Sequence, residues 1–115
     1  MALTLYGIPN CDTVKKARRW LDDRGVAYRF HDFRKDGLDP AKLQDWIDSL
    51  GWEKLLNKSG TTFRKLPDAQ KEGLDAASAK ALMLDQPAMI RRPVVEGVGD
   101  PGVGFSADDW QQRFA

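Results

Sequence analysis

Apolar and polar positions along the 115-residue chain change period several times, and each change predicts an element. Leu3, Thr4, Leu5 and Tyr6 form a short β-prone run that ends on the turn residues Gly7, Pro9 and Asn10. From Asp12 to about Arg24 the period becomes helical. Val14, Ala17 and Leu21 fall on one face, Lys15, Lys16, Arg18 and Arg19 face solvent, and Gly25 is a natural stop. Ala27 to Phe33 alternates again, with Tyr28 and Phe30 on one side and Arg29 and His31 on the other, as in a half-buried strand. Strand, helix and strand up to Phe33 make a βαβ unit, whose crossover is expected to be right-handed.

The middle of the chain reads as helical. Asp39-Pro40 supplies a cap and a first-turn proline for a segment with Leu43, Trp46, Ile47 and Leu50 inward, closed by Gly51. Trp52 to Leu56 reads as one more short helical turn, Asn57 to Thr62 as a polar loop, and Ala76 to Asp85 as a helix with Ala79, Leu82 and Met83 inward. β character returns at Met89 to Glu96, interrupted by Pro93. A turn-rich stretch around Gly97 to Pro101 leads to a last short strand, Val103 to Phe105. Ser106 then opens a terminal helix carrying Trp110 and Phe114, with Asp109 partly completing a capping box. No repeat or low-complexity segment interrupts this order. It predicts a single α/β domain over residues 1–115, one mixed sheet covered by helices.

Composition narrows the class. The chain is 42% hydrophobic and 30% charged with four tryptophans, ordinary globular usage that argues against disorder. A formal net charge of +1 calls for neither nucleic acid nor an anionic membrane surface as partner. One cysteine cannot close an internal disulfide, which removes the secreted, disulfide-stapled class. The apolar run from Ala2 to Tyr6 is broken by Gly7, Pro9 and Asn10, unlike a signal peptide, and no stretch approaches the ~20 apolar residues of a membrane span. The expected location is the cytoplasm.

That single cysteine, Cys11 in GIPNCDTVKKARRWL, sits where the first strand turns into the first helix. The thiolate is the nucleophile, and an ordinary thiol near pKa ~8.5 is only a few per cent ionised at pH 7. A helix N-terminus favours the anion through its unpaired N–H groups and the positive end of its dipole. The N–H groups of Thr13 and Val14 are expected to point at Cys11, with the Thr13 hydroxyl as a further donor, Lys15 and Arg18 following at helical spacing, and Asp12 opposing the effect. The plainer alternative is a small apolar residue filling a tight turn. A second constellation is Ile90-Arg91-Arg92-Pro93-Val94-Val95, where two guanidinium groups at the lip of a strand could bind carboxylates or oxyanions. A proline inside a strand pattern fits an edge position or a cis bond. His31, the sole histidine, reads as a surface residue, and one cysteine with one histidine are too few for a zinc site, so no metal is expected. Trp46, Trp52 and Trp110 fit core or helix-packing positions. The polar loop Lys58 to Thr62 offers hydroxyls that could face the cysteine.

Strand, G-I-x-N-C, helix, helical insertion, R-R-P-V-V and a closing G-F-S-x-x-x-W together resemble the ArsC/Spx/YffB family of thioredoxin-like proteins, and LYGIPNCDTVKKARRWL resembles its YffB branch most. The resemblance spans essentially the whole chain. It implies a thioredoxin-like mixed sheet flanked by helices, with a helical insertion at about residues 39–85, a reactive Cys11 and a cis Pro93 beside it. Arsenate reductases of the family hold the oxyanion with three arginines. Here only Arg92 matches; Asn57 stands at the first position, the Gly102 to Phe105 segment has no basic residue for the third, and Gly7 replaces a histidine. Each charge-assisted hydrogen bond is worth ~1.5–3 kcal/mol, so an arsenate dianion would lose much of its binding free energy. Spx-type regulators, which bind RNA polymerase, are similar at Arg91, Arg92 and Pro93, but their C-x-x-C switch has Val14 at its second position here.

A thiol with no resolving partner in its own chain must be released by an outside thiol. The resemblance therefore implies monothiol chemistry, with glutathione as co-substrate and no tightly bound cofactor. The expected activity is that of a glutathione-dependent thiol-disulfide reductase acting on a small thiol or disulfide. Cys11 and Thr13 would be catalytic, and Asn10, Asn57, Arg91, Arg92 and Pro93 would bind substrate or glutathione. The alternatives are an arsenate reductase coupled to a glutaredoxin-like protein and a non-catalytic Spx-like adaptor of RNA polymerase.

Overall fold

Alternation at the start of the chain produces β1 (Leu3–Gly7), which lies between β2 (Tyr28–Asp32) and β3 (Val94–Glu96) in a four-stranded sheet of order β2-β1-β3-β4, with β4 (Gly102–Val103) at the edge. The computed structural model describes residues 3–97 and 99–114; Val98, in the turn expected around Gly97 to Pro101, lies outside them, as do Met1, Ala2 and Ala115. The pair β1–β2 is parallel, with Leu5 opposite Phe30. The pairs β1–β3 and β3–β4 are antiparallel, with Leu5 opposite Val95 and Val94 opposite Val103. The sheet is therefore mixed, as the order of periods predicted. Helix α1 (Asp12–Asp23) provides the crossover that a parallel pair requires.

Contacts divide the chain into two compact units, one running to Gly37 and resuming at Arg92, the other Leu38–Arg91. In the first, Leu3, Leu5 and Val95 from one face of the sheet pack with Ala17, Trp20 and Leu21 of α1 and Trp110 of α7 (Ala107–Arg113). Burying each leucine or valine among them contributes about 1.5–3 kcal/mol. Trp20, which the α1 pattern left unassigned, meets the Trp110 ring edge-on at 5.7 Å. Ser106 caps α7, accepting from the N–H of Asp109. On the opposite face the Tyr6 hydroxyl donates to Glu96 Oε1 at 2.6 Å.

The second unit is helical. Asp39 caps α2 (Pro40–Leu50) through the N–H of Ala41, and Leu43, Trp46 and Ile47 are buried. Gly51, at φ +88°, ends α2 and begins the single turn α3 (Trp52–Leu55). Two further single turns, α4 (Thr61–Arg64) and α5 (Asp68–Lys71), carry no clear period and were not expected; Thr61 and Thr62, read as loop, begin the first of them. Asp75 and Ser78 form a reciprocal capping box at the start of α6 (Ala76–Asp85), of which Ala79 and Met83 are buried. Leu50 and Leu82, assigned inward, are only half-buried, as is Trp52.

The return to β structure is shorter than its pattern. Pro87–Met89 forms a 3-10 turn, Ile90 makes an isolated antiparallel bridge with Leu56, and β3 begins only at Val94. Arg91 N–H is taken by Leu55 O at 2.6 Å, and Pro93 has no N–H to continue a ladder. Phe105, expected in the last strand, instead meets Trp110 edge-on at 4.8 Å.

Candidate active site

Cys11 is the residue immediately before α1, with extended backbone (φ −125°, ψ 127°), and its carbonyl accepts the N–H of Lys15 at 2.9 Å. It is partly exposed. Its side chain makes no capping hydrogen bond to the helix. Burial pushes the thiol up, but the N–H of Val14, a hydrogen bond and the positive charge from Arg92, and the N–H of Thr13 together hold it below the ordinary cysteine value. Three donors therefore converge on one sulfur, two from the helix terminus and one from the segment that leads into β3.

Thr13 contributes through its backbone N–H; its hydroxyl, read as a further donor, is not among the groups that set the thiol. Arg18, expected to help from one face of the helix, is engaged elsewhere. Its Nε donates to Tyr28 Oη at 3.1 Å and its guanidinium lies 4.3 Å from the Phe30 ring centroid. Neither Arg18 nor Lys15 is among the groups that set the Cys11 thiol. Long side chains at helical spacing reach whatever the next strand offers, which the helix pattern alone does not reveal.

Asn10 is exposed in the turn just before Cys11, and Pro93 is buried, joined to Arg92 by a cis peptide bond. Arg91 and Asn57 belong to the second unit. There they lie at opposite ends of the Leu56–Ile90 bridge: the N–H of Asn57 donates to Met89 O at 2.8 Å, and that of Arg91 to Leu55 O. The Asn57 side-chain oxygen accepts from the Ser59 hydroxyl at 2.9 Å. Within the first unit, then, the structure gathers Cys11, Thr13, Val14 and Arg92 around the sulfur.

His31 is not the plain surface residue its pattern implied. It is half-buried, with its ring 4.9 Å from that of Tyr6 and its Nε2 2.7 Å from Gly37 O. Among the described residues no group of three or more His, Cys, Asp or Glu side chains could hold a metal ion, and no helix is long and apolar enough to cross a membrane. The Val14 N–H was expected to point at Cys11, whereas Gly7 was not singled out as a site residue. Val14 is fully buried, and its amide makes the largest of the contributions that lower the thiol.

Comparison with known proteins bears on this arrangement. The ArsC family model matches residues 6–113. The solved YFFB (PA3664) protein is 52% identical, with a TM-score of 0.95, over 99% of this chain and 100% of that one. An arsenate reductase (ArsC) related protein from Brucella melitensis is also 52% identical, with a TM-score of 0.81, over 99% of this chain and 95% of that one. The global transcriptional regulator Spx of Streptococcus agalactiae is 28% identical over 109 residues, 93% of this chain and 79% of that protein. The thioredoxin-like architecture expected from the sequence, a mixed four-stranded sheet flanked by helices, is the one these structural neighbours share.

Proposed function

The chain belongs to the ArsC family, and from that premise we propose that it is a glutathione-dependent thiol-disulfide reductase with Cys11 as its single nucleophile. The observation that carries this reading is the convergence of Arg92 and the Thr13 and Val14 amides on a sulfur held below the ordinary thiol range. A lowered pKa raises the thiolate fraction at neutral pH and makes the sulfur a good attacking and leaving group. In the cycle, the Cys11 thiolate attacks the glutathione sulfur of a mixed disulfide. A Cys11–glutathione disulfide forms and the substrate leaves as its thiolate. A second glutathione thiolate then attacks the glutathione sulfur of that adduct, releasing oxidised glutathione and the Cys11 thiolate. The substrate sulfur is reduced to a thiol, the incoming glutathione sulfur is oxidised as it joins the one already at the disulfide level, and the departing thiolate takes its proton from solvent.

In this scheme Thr13 and Val14 act through their N–H groups, holding charge on the sulfur before attack and after release. Arg92 adds a planar guanidinium suited to a carboxylate of the tripeptide; Asn10 directly precedes Cys11 in the chain, and Pro93 directly follows Arg92. With no second cysteine, regeneration depends on free thiol in solution. The test is intact-mass measurement after exposure to oxidised glutathione. A single glutathione adduct on the native chain and none on Cys11→Ser are expected; no adduct on the native chain would remove the reading.

Similarity to Spx favours a second reading, a non-catalytic adaptor that binds RNA polymerase. It expects RNA polymerase subunits to be captured equally well by the native chain and by Cys11→Ser, and their absence counts against it. Arsenite production in the presence of arsenate, glutathione and a glutaredoxin tests the third option. Of the three arginines that the family resemblance implies for that chemistry, only Arg92 is matched.

A further inference from the structure

We propose that Gly7 is a positioning residue for Cys11: its bare Cα at the end of β1 seats Val14, and so aims the first-turn amides of α1 at the sulfur. The proposal rests on Cys11 being the reacting group and not on the identity of its substrate.

Gly7 is not required for its backbone angles. Positive φ occurs at other glycines, such as Gly25, Gly37 and Gly51, and not at Gly7. Space is what it provides. A Cβ at Gly7 would lie 2.9 Å from Val14 Cγ2 and 3.8 Å from its Cγ1, where carbon atoms prefer about 3.5–4.0 Å. The same Cβ would stand 3.9 Å from Arg92 Cβ. Gly7 therefore adjoins both sources of thiolate stabilisation, the helix terminus and the arginine.

The strand is the less able to yield. Gly7 O accepts the N–H of Phe33 at 2.9 Å, Gly7 pairs with Asp32, and its neighbour Tyr6 pairs with His31 on one side and Val94 on the other. Val14 has little freedom either, because it is fully buried and a β-branched side chain in a helix is largely confined to one χ1 rotamer. A methyl group at position 7 would thus push against the first helical turn itself. That turn carries the Val14 and Thr13 N–H groups that face the sulfur.

The experiment is a double-mutant cycle read by the pH dependence of Cys11 alkylation in the native chain, Gly7→Ala, Val14→Ala and the double variant. Gly7→Ala is expected to raise the pH midpoint and to slow alkylation at pH 7 by roughly threefold or more, which corresponds to about half a pKa unit. With Val14→Ala already in place, adding Gly7→Ala is expected to leave the midpoint where it was, because the crowding against Val14 Cγ2 is gone and the 3.9 Å approach to Arg92 Cβ is an ordinary contact. A low native midpoint that Gly7→Ala does not shift would overturn the proposal and leave the proposed function standing. A native midpoint at the ordinary thiol value would sink both. Should Gly7→Ala not fold, the comparison of Val14→Ala with the double variant decides, and a further rise in the double variant is the overturning result.

Discussion

Arg92 and the two first-turn amides act on one atom by different physics. The amides are fixed dipoles that come with the helix, whereas the guanidinium brings a full charge on a side chain. Arg92→Ala should therefore raise the midpoint of Cys11 alkylation and slow the reaction at pH 7, while the helix keeps part of the effect. Arg92→Lys should recover part of the loss, since it restores the charge but not the planar fork. An alkylation profile unchanged in Arg92→Ala would show that the side chain does not act on the sulfur. At this scale the address of Cys11 was legible in the sequence, because a lone thiol between a strand and a helix is a local fact. The diversion of Arg18 to Tyr28 and Phe30 was not legible, because it depends on where the neighbouring strand lies.

Elements show where local rules suffice. The bounds of α1 and α2 follow from apolar period, cap and stop, and the structure keeps them nearly as read. Gly51 serves two of these elements, ending α2 and preceding α3 at φ +88° and ψ 143°, a region open almost only to glycine. Gly51→Ala should cost about 1–3 kcal/mol, read as a lower urea midpoint with an unchanged slope. An unshifted midpoint would mean that the junction relaxes without strain. Where the period is weak, reading failed: α4 and α5 are single turns, too short to repeat an apolar face. The pattern from Met89 to Glu96 overstated β3 because it could not show that Leu55 and Leu56 take the backbone groups of Arg91 and Ile90.

For the molecule as a whole, the Cys11 thiol links its surroundings to folding. Its folded pKa lies below the ordinary value, so between those two values the unfolded chain binds more protons than the folded one. Stability from this group therefore rises with pH through that window, is fully present above the unfolded thiol value of about 8.5, and is lost as pH falls through the folded value. Urea unfolding of the native chain and of Cys11→Ser, from about pH 6 to about pH 9.5, should show a difference in stability that grows with pH. A difference independent of pH would mean that folding does not stabilise the thiolate.

The sequence by itself determined the periods of the strands and long helices, the glycines and prolines that end them, and the position of the thiol at a helix start. It also carried the motifs by which the family resemblance was read. These are properties of residues a few positions apart, and steric and hydrogen-bonding rules act on them directly. Only the tertiary structure decided that Arg92 reaches the sulfur, that Val14 fills the space Gly7 leaves, and that His31 packs against Tyr6. Each of these depends on β1 lying between β2 and β3. Such long-range pairing is set by the burial of the sheet and helix faces together, which no single segment encodes.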